Sequence, residues 1–365
     1  MLGACLDVGA WWLVLSELGG PSVSVFVCGI GAVSPAGWGV AAMREALRRG
    51  EPAPMRDLAR PGWTNPLCVR TVPPPSPRPS FLGHARLRRT SPIAHYAVAA
   101  ALEALGTSPP GMPALPVKER LGVVFCVMSG CVNYSRRFYD ETLKNPATAS
   151  PLVFPETVFN APASHLSSLI SASAENYTLV GDPAIFLQGV ALAADWLLSE
   201  RVDGCVVIGA EEMDWLTTDA FRLFHRRIIL GEGAGAVYLR RNPTAEPAVQ
   251  LEAITEPSLF FKGKTRAQAV ESARRDLGPG QPTELLCDGV QGLPRLDRDE
   301  QQAWQDWKGP RISPKVILGD GRMAAAAWQC VAAIDELQQN RHPAASVSVA
   351  GCNQQAIAGR FVRCV

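Results

Sequence analysis

The sequence predicts a layered α/β/α/β/α fold assembled from two similar halves. Three observations lead there. Strands rich in β-branched residues alternate with helices along most of the chain. Each half holds one helix that is apolar nearly all round, at 184–198 and 323–339, and such a helix is buried on every side. The 365 residues also exceed what a single core ordinarily accommodates. The expected division is an N-terminal extension over 1–22, a first half over 23–245 and a second over 246–365.

The elements follow in order. A strand at 23–30 ends in "GIGAVSPAGWG", read as a Gly-rich loop before a helix at about 40–49. That loop lacks the G-x-G-x-x-G spacing of a dinucleotide site. Residues 51–83 are Pro-rich and read as a surface excursion. A helix at 91–105, a second Pro-rich connection and a strand at 121–128 come next. The stretch "NPATASPLVFPETVFN" at 145–160 spaces apolar side chains between prolines and suits a pocket wall or an interface. A strand at 176–180, the turn "GDP" and the apolar helix follow. Then come a buried strand at 205–208 ending in Glu211 and Glu212, a mixed helical segment, and a Gly-rich loop with a strand at 236–239. The second half repeats the rhythm: strand 284–287, helix 297–307, strand 315–318, Ala-rich helix 323–339, strands 346–350 and 357–362.

Composition excludes several functions. With 35 Lys and Arg against 34 Asp and Glu the net charge is +1, so neither nucleic acid nor an anionic membrane is an expected partner. The apolar run at 10–15 is too short to span a bilayer and lacks a signal peptide's basic flank. A cytoplasmic location is expected. Ten Cys are scattered without C-x-x-C pairs or paired His, so they read as small buried hydrophobes in a reducing compartment. No metal and no cofactor are expected. Glu211 and Glu212 are adjacent on a strand end and point opposite ways, which disfavours a shared ligand role. "GEGAG", with Glu232, reads as close backbone packing rather than a phosphate cradle.

Five motifs, in order from about residue 23 to the end, carry a resemblance. They are "GIGAVSPAGWGV", the strand–turn–helix at 176–197, "GAEE" at 209–212, "GEGAGAVYL" at 231–239, and a C-terminal set. That set is "DGVQGLPRLDRDE", "SPKVILGDGRMAAAA" and "VSVAGCNQQA". Together they resemble β-ketoacyl synthases of the thiolase-like superfamily, which implies a thiolase-like duplicated fold.

The departures from that pattern are chemical. The resemblance places Pro183 where condensing members carry the acylated cysteine. Asp288 stands at the first catalytic histidine position and Asp320 at the second. Lys315 is retained. The C-terminal Gly-rich loop lacks its Phe in "SVAGCNQ", and the chain is short between "FRLFH" and "GEGAG". Condensation needs a thiolate to acylate and neutral imidazoles to stabilise an enolate and an oxyanion. Proline accepts no acyl group, and an ionised Asp repels an enolate. No catalytic residue and no intrinsic activity are therefore expected.

Members that lack the cysteine pair with a catalytic ketosynthase as chain-length factors. "SPLVFPETVFNAPASHL" and the 176–197 segment most resemble such proteins of aryl polyene and related pathways. The resemblance implies a heterodimer with a ketosynthase, acting on an acyl carrier protein in polyene, polyketide or fatty-acid-like biosynthesis. It places the strand 177–180 at the subunit interface. Phe154, Phe159, Tyr177, Phe186 and Leu187 are the tunnel or interface candidates. The alternatives are a thiolase-like acyltransferase with a non-standard site, using Asp288 or Asp320 as base, and a non-catalytic acyl-binding homodimer.

Simpler roles stand beside these. Pro183 suits the first position of a helix sterically. Lys315 is expected in a buried ion pair with Asp288 or Asp320. Cys131 is the best remaining thiol but has no histidine at a motif position. His165 is expected to make a polar contact at a helix start.

Overall fold

The computed structural model describes residues 24–106, 119–244, 246–261 and 263–364. The expected N-terminal extension and most of the second Pro-rich connection lie outside the described residues. The chain first forms strands β1 (Val25–Ser34), β2 (Gly37–Trp38), β3 (Arg56–Leu58), β4 (Leu67–Arg70) and β5 (Leu121–Val127). It continues through β6 (Asn176–Val180), β7 (Gly204–Glu211), β8 (Leu230–Gly231), β9 (Gly233–Arg240) and β10 (Val249–Ile254). The last strands are β11 (Ser258–Leu259), β12 (Leu285–Cys287), β13 (Arg311–Ile312), β14 (Ala344–Ala350) and β15 (Gln355–Arg363). Helices α1 (Val40–Arg49), α2 (Pro92–Ala104), α3 (Val132–Lys144), α4 (Ala161–Leu169) and α5 (Ile185–Leu198) lie before β7. Helices α6 (Trp215–Phe224), α7 (Arg266–Leu277), α8 (Pro294–Ala303), α9 (Pro314–Leu318) and α10 (Met323–Gln338) follow it.

Two sets of five strands carry the architecture. The first runs β6-β5-β7-β9-β1 and the second β13-β12-β14-β15-β10. Numbered by chain order within each set, both read third, second, fourth, fifth, first. The directions match too. In each set the first three strands from the outer edge are parallel and the last two antiparallel. The sets meet where β1 pairs antiparallel with β10, Val25 opposite Leu251 and Val27 opposite Val249.

The two apolar helices explain the layering. All residues of α10 but Gln338 are buried. Together with α5 it fills the space between the sets, where Phe186, Met323, Ala327 and Val331 meet Val207, Val237, Leu285 and Val347. Helices α2 and α4 cover the outer face of the first set. Helices α7 and α8 cover the outer face of the second. This is the α/β/α/β/α arrangement, with equivalent helices in equivalent places.

Several elements differ from expectation. The segment 315–318 is helical, not extended: Pro314 opens α9 with a preset φ, and Gly319 at φ 84° ends it after one turn. Its Val-Ile pair had the look of a strand. "GIGAVS" is not a loop, because β1 runs on to Ser34 and turns back into β2. Its glycines let α2 pack against the strand, since a side chain at Gly29 or Gly31 would overlap the Ala104 or Ala100 carbonyl. The Gly-rich "GAGA" is likewise strand β9. The excursion 51–83 holds β3 and β4, which form a small sheet with β8. Helix α8 spans 294–303 rather than 297–307. Helices α3 and α7 and strand β10 had no counterpart in the sequence reading. For α7 the signal was present: Thr265 and Gln268 form a capping box.

Among the described residues no helix is long and apolar enough to cross a membrane. The nine described cysteines are free.

Candidate functional site

A cavity of about 440 Å³ opens where the turn before α5 meets the start of α10. Pro183, Lys315 and Asp320, far apart in sequence, share its wall. Pro183 precedes the cap residue Ala184 rather than opening α5, and its carbonyl accepts from Phe186 N at 3.2 Å. Lys315 Nζ lies 3.4 Å from Asp320 Oδ1, and both side chains are about nine-tenths buried. Asp320 Oδ1 also accepts from Arg322 N at 2.9 Å.

Asp288 does not join them. Its neighbour Gly289 reaches the cavity wall, but the Asp288 carboxylate accepts from Ser313 Oγ at 2.5 Å and from Val290 N at 3.2 Å. Arg311 Nη1 stands 3.8 Å away. Burial, reinforced by the Glu300 charge, pushes the Asp288 carboxyl up to about 7. The ion pair expected for Lys315 is therefore with Asp320 and not with Asp288.

Three groups that sequence reasoning did not single out complete the site. The first is Asp182, which is 1% exposed. Its carboxylate gathers three backbone N–H groups: Ala184 at 3.0 Å, Asn353 at 3.1 Å and Gln354 at 3.1 Å. The C-terminal loop is thus fastened to the turn before α5. A side chain at Gly351 would overlap that carboxylate, so any larger residue there must displace the loop or the turn. The second is Cys352, on the cavity wall. The residue is exposed, but desolvation by its surroundings, then the charges of Asp182 and Asp320, push its thiol up to about 12. His225 also lines the cavity, its Nδ1 accepting from Arg227 N at 3.3 Å.

The third is Arg322, which is 1% exposed and has φ 54°, ψ −112°, a backbone conformation that side chains resist. Its Nη2 donates to the Glu212 carbonyl at 2.8 Å and lies 3.3 Å from Glu211 Oε2. Its Nε and Nη1 are buried without a hydrogen-bond partner.

Behind the cavity the carboxylates diverge, as their adjacency on a strand end implies. Glu211 accepts from Met128 N at 2.6 Å. Glu212 turns the other way, accepting from Ser91 Oγ and from Ile93 N and Asn133 N, at the starts of α2 and α3. Burial pushes Glu212 up to about 7 despite those bonds. Glu232 binds Val72 N, Tyr96 Oη and Met213 N, and burial raises its carboxyl as well.

The remaining candidates lie elsewhere. Phe186 and Leu187 are fully buried in the central layer and line neither this cavity nor the groove beside α5. Phe154, Phe159 and Tyr177 are 55%, 43% and 50% exposed. Tyr177 is on β6, an outer edge of the large sheet. Asn176 Nδ2 reaches Ser167 Oγ at 2.7 Å, which holds α4 beside that edge. A groove of about 410 Å³ runs alongside, lined by Leu179, Ala191, Leu192 and Ile254 among others. Cys131 is buried, and desolvation raises its thiol pKa. His165 lies within α4, 2.9 Å from Glu156, rather than at a helix start.

The chain matches no protein-family profile and no curated protein sequence. Its structure resembles the ishigamide ketosynthase/chain length factor, with a TM-score of 0.76 and 20% identity over 94% of this chain and 100% of that one. It also resembles a ketosynthase in complex with its chain length factor from Xenorhabdus doucetiae (TM-score 0.74, 16% identity, 93% and 98% covered). A third likeness is to a type II polyketide acyl carrier protein in complex with its ketosynthase (TM-score 0.73, 16% identity, 93% and 99% covered). At identities of 16–20% these likenesses establish the architecture, and the chain has the duplicated thiolase-like fold of ketosynthases and chain length factors.

Proposed function

We propose that this chain is a non-catalytic, chain-length-factor-type subunit that pairs with an active β-ketoacyl synthase in polyketide, polyene or fatty-acid-like biosynthesis. One observation carries the reading. The cavity wall presents a proline where the resemblance expects the nucleophile, and a closed Lys315–Asp320 pair where it expects the second histidine. Neither group can carry an acyl chain as a thioester or stabilise an enolate.

The pairing surface is the β6 edge. Tyr177 and Val180 expose apolar side chains on a strand that has no outer neighbour among the described residues, and Phe154, Val158 and Phe159 are further exposed apolar side chains of this half. A partner's edge strand would continue the sheet there. Structural likeness to ketosynthase/chain length factor pairs and to a carrier-protein complex supports a ketosynthase partner and an acyl carrier protein. Phe186 and Leu187 would act on chain length from beneath, by fixing how closely α5 packs.

The alternative is an acyltransferase with a non-standard site. Asp288 and Asp320 are poor bases for it, since Ser313 occupies one and Lys315 the other. Cys352 and His225 are the groups it would use. With the thiol pushed up to about 12, almost no thiolate exists at neutral pH.

The test is to purify the chain alone and with a candidate ketosynthase, and assay condensation on carrier-bound substrates. Stable association, with turnover only in the pair, is expected. Turnover by the chain alone, or its isolation as a homodimer that no ketosynthase joins, would overturn the reading.

A further inference from the structure

We propose that Arg322 reads a carbonyl oxygen on an apolar acyl group held in the cavity. The inference rests on the reading of the cavity as an acyl site and narrows the class of acyl group it takes.

Arg322 is exceptional in three independent respects: a positive φ, almost complete burial, and two buried donors, Nε and Nη1, without partners. Each is costly, and their coincidence on a cavity wall marks a residue held ready for something the fold does not supply.

The neighbouring charges define the acceptor. Arg322 is compensated by Glu211 at 3.3 Å, Lys315 by Asp320 at 3.4 Å, and Arg266 faces Asp299 at 3.4 Å. With Glu211 Oε2 3.3 Å away the guanidinium is already balanced in charge, so its two free N–H groups suit a neutral carbonyl oxygen. Met128, Phe221, Phe224, Ile228 and Leu296 supply walls for hydrocarbon. A purely hydrocarbon ligand would fill those walls and leave both donors unmet. The Phe221 ring centre lies 5.8 Å from the guanidinium carbon and covers it, so that ring turns aside to admit the ligand.

The test compares 2-heptanone with 2-methyl-1-heptene, in which a methylene group replaces the carbonyl oxygen. Binding to the intact chain is read as protection of Cys352, on the same wall, from a thiol reagent. The modified peptide is followed by mass spectrometry because Cys68 is also exposed. The ketone is expected to bind at least about tenfold more tightly, although the alkene is more hydrophobic. Arg322→Met is expected to abolish that preference. Because this change strands Glu211, Glu211→Gln combined with Arg322→Met removes both partners and should abolish it too. Phe221→Ala should speed protection by the ketone. Equal or tighter binding of the alkene to the unaltered chain overturns the proposal, as does a ketone preference that survives in the double variant. A chain that pairs with a ketosynthase but shows no ketone preference removes this inference alone. A chain with the preference that pairs with none removes the partner reading alone.

Discussion

At Pro183 the backbone loses a donor and the side chain loses a nucleophile, while the surrounding turn keeps its shape. A thiol restored there should not restore chemistry, because Asp288 and the Lys315–Asp320 pair still stand where the resemblance expects imidazoles. Pro183→Cys is therefore expected to fold and to label with a thiol reagent, yet form no condensation product from carrier-bound substrates; detectable product would show that the rest of the site is competent. Gly351 gives a second residue-scale prediction. Its α-carbon faces the Asp182 carboxylate so closely that Gly351→Ala must push the loop or the turn away. A loss of about 1–3 kcal/mol is expected, read as a lowered denaturation midpoint. Pro183, Lys315 and Asp320 were legible through the resemblance, because each lies in a short segment that aligns with a family motif once the motifs are taken together and in order. Arg322 was not, since what distinguishes it is contact with Glu211 and Glu212, about 110 positions away. Asp182 was hidden for the same reason: its partners, Asn353 and Gln354, belong to the other set of strands.

Elements were legible where burial imposed a period or saturated it. Helices α5 and α10 were clear because every face is covered. Helix α3 was missed although its sequence is amphipathic; it buries no residue and exposes Tyr139 and Leu143, so that pattern does not mark a core face. Helix α9 was misread because its β-branched pair outweighed a proline that preset the first turn. Two predictions belong to this scale. Replacing the Asp182 carboxylate should free the loop at 351–354. Asp182→Ala is expected to raise the reactivity of Cys352 and the amide exchange of Asn353 and Gln354, and added formate should partly reverse both. If exchange in the loop is unchanged, Asp182 is not what fastens it. On the edge of the sheet, Val180 is 48% exposed. Val180→Lys should weaken association with a ketosynthase by tenfold or more while leaving the circular dichroism of the free chain unaltered; undiminished association would place the interface elsewhere.

For the molecule as a whole, the buried acids dictate how stability follows pH. Glu212 and Asp288 are both pushed up to about 7, and Glu211 and Glu232 are raised in the same direction, all chiefly by burial. A carboxyl raised in the folded state binds its proton more tightly there than when unfolded, so folding is favoured below the unfolded pKa. That advantage is lost as pH rises from about 4.5 to about 7, with Glu212 alone contributing on the order of 3 kcal/mol. The denaturation midpoint should fall across this window, and Glu212→Gln should flatten the fall. A midpoint that climbs from pH 5 to 7 would contradict the assignment. The layered, duplicated plan itself could be anticipated, because two all-apolar helices in alternating surroundings leave few other arrangements. The matching strand order could not, since it arises from pairings between distant segments that no local pattern records.

The seam between the two sets also fixes when the protein can begin to close during its own synthesis. Among the described residues, and apart from its hairpin with β2, β1 pairs only with β9 and β10, beginning opposite Arg240 and Leu251. At roughly 5–20 residues per second, the ribosome needs about 10–40 s to make those partners after β1 has been polymerised. For that interval a strand bearing Val25, Val27 and Ile30 emerges with both long edges open. Nascent chains stalled before residue 233 should therefore hold β1 accessible to protease and to trigger-type chaperones, and chains stalled well past residue 254 should bury it.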